Sequence, residues 1–188
     1  MAYYSYQRVE RALCAVFEIP SERRSKLRAR IKHLQRLGLR AAERPTSERA
    51  EYEGEGVDMW LVALTMMDHH IDPVLAARTV QANWRRGKDG KPRGTELVEI
   101  VRMARESKYE DEHGIFLTLE VGSLPARPEP LIGLGWLRPV DVNKRTGKKH
   151  QNWTGLFAPR PRGLVPVPLS YLLHRLDEAL AAPREELP

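Results

Sequence analysis

The sequence predicts an α+β chain in two parts, a mainly helical N-terminal domain over residues 1–86 and a small α/β module over 95–188. Three observations predict it. Apolar residues recur at helical spacing in successive segments up to Trp84. A glycine-rich basic stretch, RRGKDGKPRG, interrupts the pattern and places a linker at 87–94. Beyond it the period falls to two in Ile115-Phe116-Leu117-Thr118-Leu119-Glu120-Val121, which reads as a strand. With 41% apolar residues in 188, the chain has material for one ordinary core and a smaller second one.

The first helix spans Tyr4 to Phe17, with Val9, Leu13, Val16 and Phe17 facing inward. Cys14 falls among them and reads as a small core residue. As the single cysteine it excludes an internal disulfide and points to a reduced compartment. Glu18-Ile19-Pro20-Ser21 then breaks the helix, and Ser21 is placed to cap the next one, which runs through Leu37 and stops at Gly38. In that second helix Leu27, Ile31, Leu34 and Leu37 form one buried stripe. Arg28, Lys32, Gln35 and Arg36 are expected on the opposite face.

The segment from Arg40 to Glu55 is polar, contains Pro45 and has room for a hairpin centred near Arg44-Pro45-Thr46-Ser47. Val57, Trp60, Leu61, Leu64 and Met67 then mark a third helix. Asp72-Pro73 reads as an N-cap followed by proline at the first helical position. It opens a fourth helix, Pro73 to Arg86, whose inner face is expected to carry Val74, Ala77, Val80, Gln81 and Trp84. After the linker come a helix from Thr95 to Ser107 and the strand at 115–121. A hairpin follows, formed by Leu134–Val142 and Asn152–Phe157 around the basic tip NKRTGKKHQ. Leu164-Val165-Pro166-Val167-Pro168 leads to a last helix, Ser170 to Leu180. Its Leu169, Leu172, Leu173, Leu176 and Leu180 are expected to close the α/β module or to pair with a second subunit.

Charge is distributed unevenly. The net charge is +6, yet Glu22–Arg49 has ten basic residues against three acidic, while Ala50–Trp84 has one arginine against six carboxylates. A positive field confined to one region is what contact with phosphates requires. Two helices joined by a short turn, the second basic, make the helix-turn-helix layout, in which the first helix braces the second and the second enters the major groove. With the hairpin as a wing, the N-terminal domain reads as a winged helix-turn-helix. Arg24, Arg28, Lys32, Gln35, Arg36 and Arg40 are the candidate DNA contacts, since arginine and glutamine can bond base edges in pairs. Lys144, Arg145, Lys148 and Lys149 at the hairpin tip are candidate phosphate contacts.

The order of these elements resembles the DNA-binding domain of the MerR family of transcriptional regulators over Val9 to Trp84. Leu27-Arg28, Leu37-Gly38-Leu39, Tyr52 and the two helices after it are similar to that family's recognition helix, Gly-Leu stop, wing and helix pair. The resemblance implies operator binding as a dimer, with Arg28, Lys32 and Arg36 on the DNA. The chain departs from the family in its wing, where SERAEYEGEG is acidic, and in lacking a long coiled coil afterwards.

Other chemistry is weakly signalled. His69-His70 with Asp68 and Asp72 is the one compact cluster that resembles metal ligands, but adjacent histidines point apart on a helix and no further ligand completes a site. No nucleophile motif, phosphate-cradling loop or positioned carboxylate pair is present. The expectation is a non-enzymatic protein without cofactor or metal, cytoplasmic, with no membrane span and no apolar signal core. Its partners are expected to be double-stranded DNA and a second copy of itself. A winged-helix module that binds protein, or an RNA-binding protein, is the alternative.

Overall fold

The structure is a computed structural model that describes residues 2–39, 43–45, 50–84, 97–106, 115–120, 132–137, 141–142, 149–150, 153–155 and 164–183. It is α+β, in two compact units: Met1–Leu97 together with Leu172–Pro188, and Val98–Tyr171.

In the first unit the order is β1 (Tyr3–Ser5), α1 (Tyr6–Val16), a 3-10 turn (Ser21–Arg23), α2 (Arg24–Arg36), β2 (Glu43–Pro45), β3 (Ala50–Glu53), α3 (Gly54–Asp68) and α4 (Pro73–Trp84). β2 and β3 form a hairpin, antiparallel with Pro45 opposite Ala50, so Arg44 and Pro45, expected at its centre, lie on a strand instead. β1 adds a third strand to it, Tyr4 opposite Tyr52, so the sheet order is β1-β3-β2. Tyr52 turns inward from β3 and its ring meets those of Tyr6 and Trp60 at 5.9 and 5.3 Å. That aromatic row joins the sheet to α1 and α3, the tilted geometry being the favourable one for ring pairs.

α3 is the centre of this unit. Val57, Trp60, Leu61 and Leu64 are buried as expected, and so are Val62, Ala63, Thr65 and Met66, because α2, α4 and β3 all pack on it. Met67, assigned to the stripe from sequence, is half-buried. On α4 the inner face is Ala76, Ala77, Val80 and Trp84, whereas Val74 is exposed and Gln81 faces out. Asp72 caps α4 as its sequence predicts, Oδ1 accepting from the backbone N–H groups of Val74 (2.9 Å) and Leu75 (3.3 Å). Ser21 does not cap α2. A 3-10 turn intervenes, and the Ser21 hydroxyl lies 3.4 Å from Glu22 Oε2 instead.

Three helices end in the same way. After α1 the N–H of Glu18 bonds to Ala15 and that of Ile19 to Cys14; after α2 Gly38 bonds to Gln35 and Leu39 to Leu34; after α3 His70 bonds to Met67 and Ile71 to Met66. Each is the paired-bond termination that requires a left-handed residue, and the three φ values are 51°, 92° and 64° for Glu18, Gly38 and His70. Gly38 was legible as a stop. Glu18 and His70 carry a Cβ in the same conformation, so neither marks its helix end by residue type, although Pro20 places the break after α1.

The last helix, α6 (Leu169–Ala181), was expected with the C-terminal module. From Leu172 onward it belongs to the first unit. Arg175 donates to Glu18 Oε1 and to the carbonyl of Ala15, both at 2.9 Å, and Arg8 Nε donates to the carbonyl of Leu180 at 2.6 Å. These bonds fasten the C-terminal half of α6 to α1.

The second unit holds α5 (Leu97–Glu106) after its first residue, β4 (Ile115–Glu120), β5 (Ile132–Leu137), β6 (Asp141–Val142), β7 (Lys149–His150), β8 (Trp153–Gly155) and β9 (Leu164–Pro168). Its main sheet is antiparallel in the order β8-β5-β4-β9, and β6 pairs with β7. β9 carries Pro166 and Pro168 opposite Thr118 and Phe116. Proline has no N–H to give, so such a strand belongs at a sheet edge, where it lies. The linker expected at 87–94 lies outside the described residues.

Candidate nucleic-acid interface

α2 is thirteen residues, about 20 Å, long. Leu27, Ile31 and Leu34 are fully buried and anchor it, while Leu37 is only half-buried. Leaving the helix, the chain is pinned by two side-chain donors, Trp60 Nε1 to the Leu39 carbonyl (2.8 Å) and Gln81 Nε2 to the Leu37 carbonyl (3.3 Å). The helix is therefore held from both α3 and α4, and its rotation about its own axis is set.

That rotation sorts the basic side chains into three groups. Successive residues turn by about 100°. Directly opposite the buried stripe stand Ser25, Ala29, Lys32 and Arg36, all exposed. Lys32 and Arg36 make no side-chain hydrogen bond or ion pair among the described residues. On the flank toward α1 lie Arg24, Arg28 and Gln35. On the other flank lie Lys26, Arg30 and His33, each exposed. No acidic residue occurs between Arg23 and Leu39.

Arg28 is not the unencumbered contact that the sequence predicts. Its Nη2 and Nε donate to Glu10 Oε1 and Oε2 at 2.8 and 3.1 Å, a bidentate pair across α1 and α2. Glu10 is buried, its side chain 5% exposed, and Arg28 is 52% exposed. The hydrogen bonds to Glu10, followed by its charge, raise the guanidinium pKa above the ordinary arginine value. A planar fork on a carboxylate orients Arg28 as well as neutralising Glu10. Beside them the Tyr6 phenol is pushed up to about 12, chiefly by burial and next by the Glu10 charge.

Among the other candidates, Arg24 is half-buried and lines a cavity of about 440 Å³ with Cys14, Glu18 and Arg175. Gln35 is half-buried. Arg40, Lys144, Arg145 and Lys148 lie outside the described residues. Lys149 is placed by its backbone on β7 opposite Val142. The structure thus brings Lys32 and Arg36 to one open face and ties up Arg28. It also adds Lys26 and Arg30, both exposed on the other flank, which sequence reasoning left out.

Cys14 is buried as a free thiol, and burial raises its pKa. Among the described residues no group of three His, Cys, Asp or Glu side chains is arranged to hold a metal ion, and no helix is long and apolar enough to cross a membrane. No protein-family model matches the chain, and no curated protein or solved structure matches it.

Proposed function

We propose that this protein binds double-stranded DNA in a sequence-specific way through α2 and acts as a transcriptional regulator of the MerR-like, winged helix-turn-helix kind, as a two-fold dimer. The observation that carries the reading is the outward face of α2. Lys32 and Arg36 project from it with exposed Lys26 and Arg30 beside them, and no carboxylate on the helix answers them. A B-form major groove is about 12 Å wide and admits one helix, and cations on its outer face then meet phosphates and base edges.

The arrangement around α2 supports the same reading. α1 packs against it, and the β2–β3 hairpin follows it in the chain, in the order that a wing would have. The strand β3 carries Glu51 and Glu53, each half-exposed, which repel a phosphate backbone. α2 therefore supplies most of the grip, and Arg28 acts from its fixed position on Glu10.

Fluorescence anisotropy on duplex DNA tests this, comparing wild type with the double variant Lys32→Ala and Arg36→Ala. Losing two phosphate contacts should weaken binding about tenfold at moderate salt and make the slope of log K against log salt shallower by about 2. An unchanged affinity and slope would remove α2 from the interface.

A further inference from the structure

The cations of α2 divide by what holds them. Lys32 and Arg36 project from the outward face without a side-chain partner among the described residues, so their charge is open to any phosphate. Arg28 stands one turn before Lys32, about 6 Å along the axis and about 40° around it, so a groove that receives one receives the other. It differs in being fixed. Its Nε–H and one Nη2–H are taken by the two oxygens of Glu10, while the rest of the side chain stays half exposed.

We propose that Arg28 is the residue of α2 that reads a guanine, and that Glu10 is the positioning residue that aims it. Resting on the DNA reading above, this divides the helix into free cations that meet the backbone and one held fork that meets a base. A guanidinium has five N–H groups in one plane. With Nε and Nη2 on the carboxylate, the opposite edge keeps both Nη1–H groups and the second Nη2–H, and among the described residues Glu10 is the one acceptor on Arg28. One hydrogen on Nη1 and one on Nη2 point the same way and form a second fork. In the major groove guanine offers two acceptors to such a fork, O6 and N7, and no other base offers a pair there.

The charge of the pair points to the same role. Arg28 and Glu10 together are neutral, so they release few counterions from a phosphate backbone and add little to binding that ignores sequence. Directional bonds to a base edge do not need net charge. Glu10 is buried and has Arg28 as its one hydrogen-bond partner among the described residues, so letting Arg28 go would strand a carboxylate in the core. That keeps the fork still. As a fastening between α1 and α2 the pair is a poor device, since a buried ion pair adds little over apolar side chains of the same size.

The test uses the full chain and a library of duplexes with a randomised centre. Wild type, Glu10→Gln and Arg28→Lys are each carried through selection and sequencing, and anisotropy then measures binding to the wild-type site and to an alternating A·T duplex, which has no guanine. Wild type should enrich a site with a guanine whose replacement costs about tenfold. In both variants that preference should disappear, and the ratio of affinities for the two duplexes should fall about tenfold. Glu10→Gln should bind the A·T duplex tighter than wild type, with a salt slope steeper by about 1, because a cation has been released. A bracing role gives the opposite sign, a Glu10→Gln that is weaker on every duplex. A wild-type site without that guanine, variants that keep the preference, or variants that weaken on all duplexes alike would overturn the assignment while the DNA reading stands. Should Glu10→Gln not fold, Arg28→Lys, at an exposed position, decides by the same ratio. A wild type that binds no duplex overturns both.

Discussion

Replacing His70 by glycine should stabilise the protein, because His70 holds a Cβ in the left-handed position that closes α3. His70 closes α3 at φ 64°, its N–H on the Met67 carbonyl and that of Ile71 on the Met66 carbonyl. An L-residue held left-handed carries a penalty of about 1–2 kcal/mol from its Cβ and the following carbonyl. Glycine removes that penalty but gains unfolded-state entropy worth about 0.4–1 kcal/mol, so the net expectation is a gain of about 0.5–1 kcal/mol. For a chain of this length that is a rise of about 1–4 °C in Tm. The mirror change, Gly38→Ala, should destabilise by more than about 1 kcal/mol. There a Cβ would enter the same strained conformation at φ 92° and meet Gln81 Nε2 at 3.0 Å, the group that holds the Leu37 carbonyl. Thermal and denaturant unfolding followed by circular dichroism measure both. A destabilised His70→Gly would refute the strain argument and mean that the imidazole makes contacts worth more than the backbone relief.

Three further expectations concern single buried or capping groups. The Tyr6 hydroxyl is buried without a hydrogen-bond partner among the described residues, so Tyr6→Phe should be neutral or stabilising by up to about 1 kcal/mol at pH 7, and a clear loss would reveal a partner for the hydroxyl. Because the Tyr6 pKa is raised from 10.0 to about 12, its contribution is fully present below pH 10 and is lost as pH rises through 12; wild type should lose more stability over that interval than Tyr6→Phe. Asp72→Ala should cost about 1 kcal/mol by leaving the first N–H groups of α4 unanswered, read as a lower denaturant midpoint at constant slope, and an unchanged midpoint would mean that water caps the helix equally well.

The helices were legible because their signal is local. Val9-Leu13-Val16, Leu27-Ile31-Leu34 and Val57-Trp60-Leu61-Leu64 each repeat within a few turns, and Asp72-Pro73 and Gly38 mark ends by chemistry that acts over four residues. Strand β1 was not legible. Tyr3–Ser5 is too short for a period-two pattern, and it becomes a strand only because β3, some fifty residues on, offers it an edge. The outward places of Lys32 and Arg36 follow from helical spacing alone. The capture of Arg28 does not, since Glu10 sits on another helix and its burial is a property of the packed pair.

What the sequence by itself determined is where helices form, which stripe of α2 is buried, and that the basic residues gather on that helix. Those follow from backbone hydrogen bonding and apolar periodicity, both short-ranged. Tertiary structure alone decided which cations remain available. Packing turned Arg28 onto Glu10 and left Lys26 and Arg30 in the open. It also assigned the last helix, whose leucine pattern fits any apolar face, to α1 through Arg175 and Arg8. An apolar stripe states that a surface must be covered, and only the folded chain states by what.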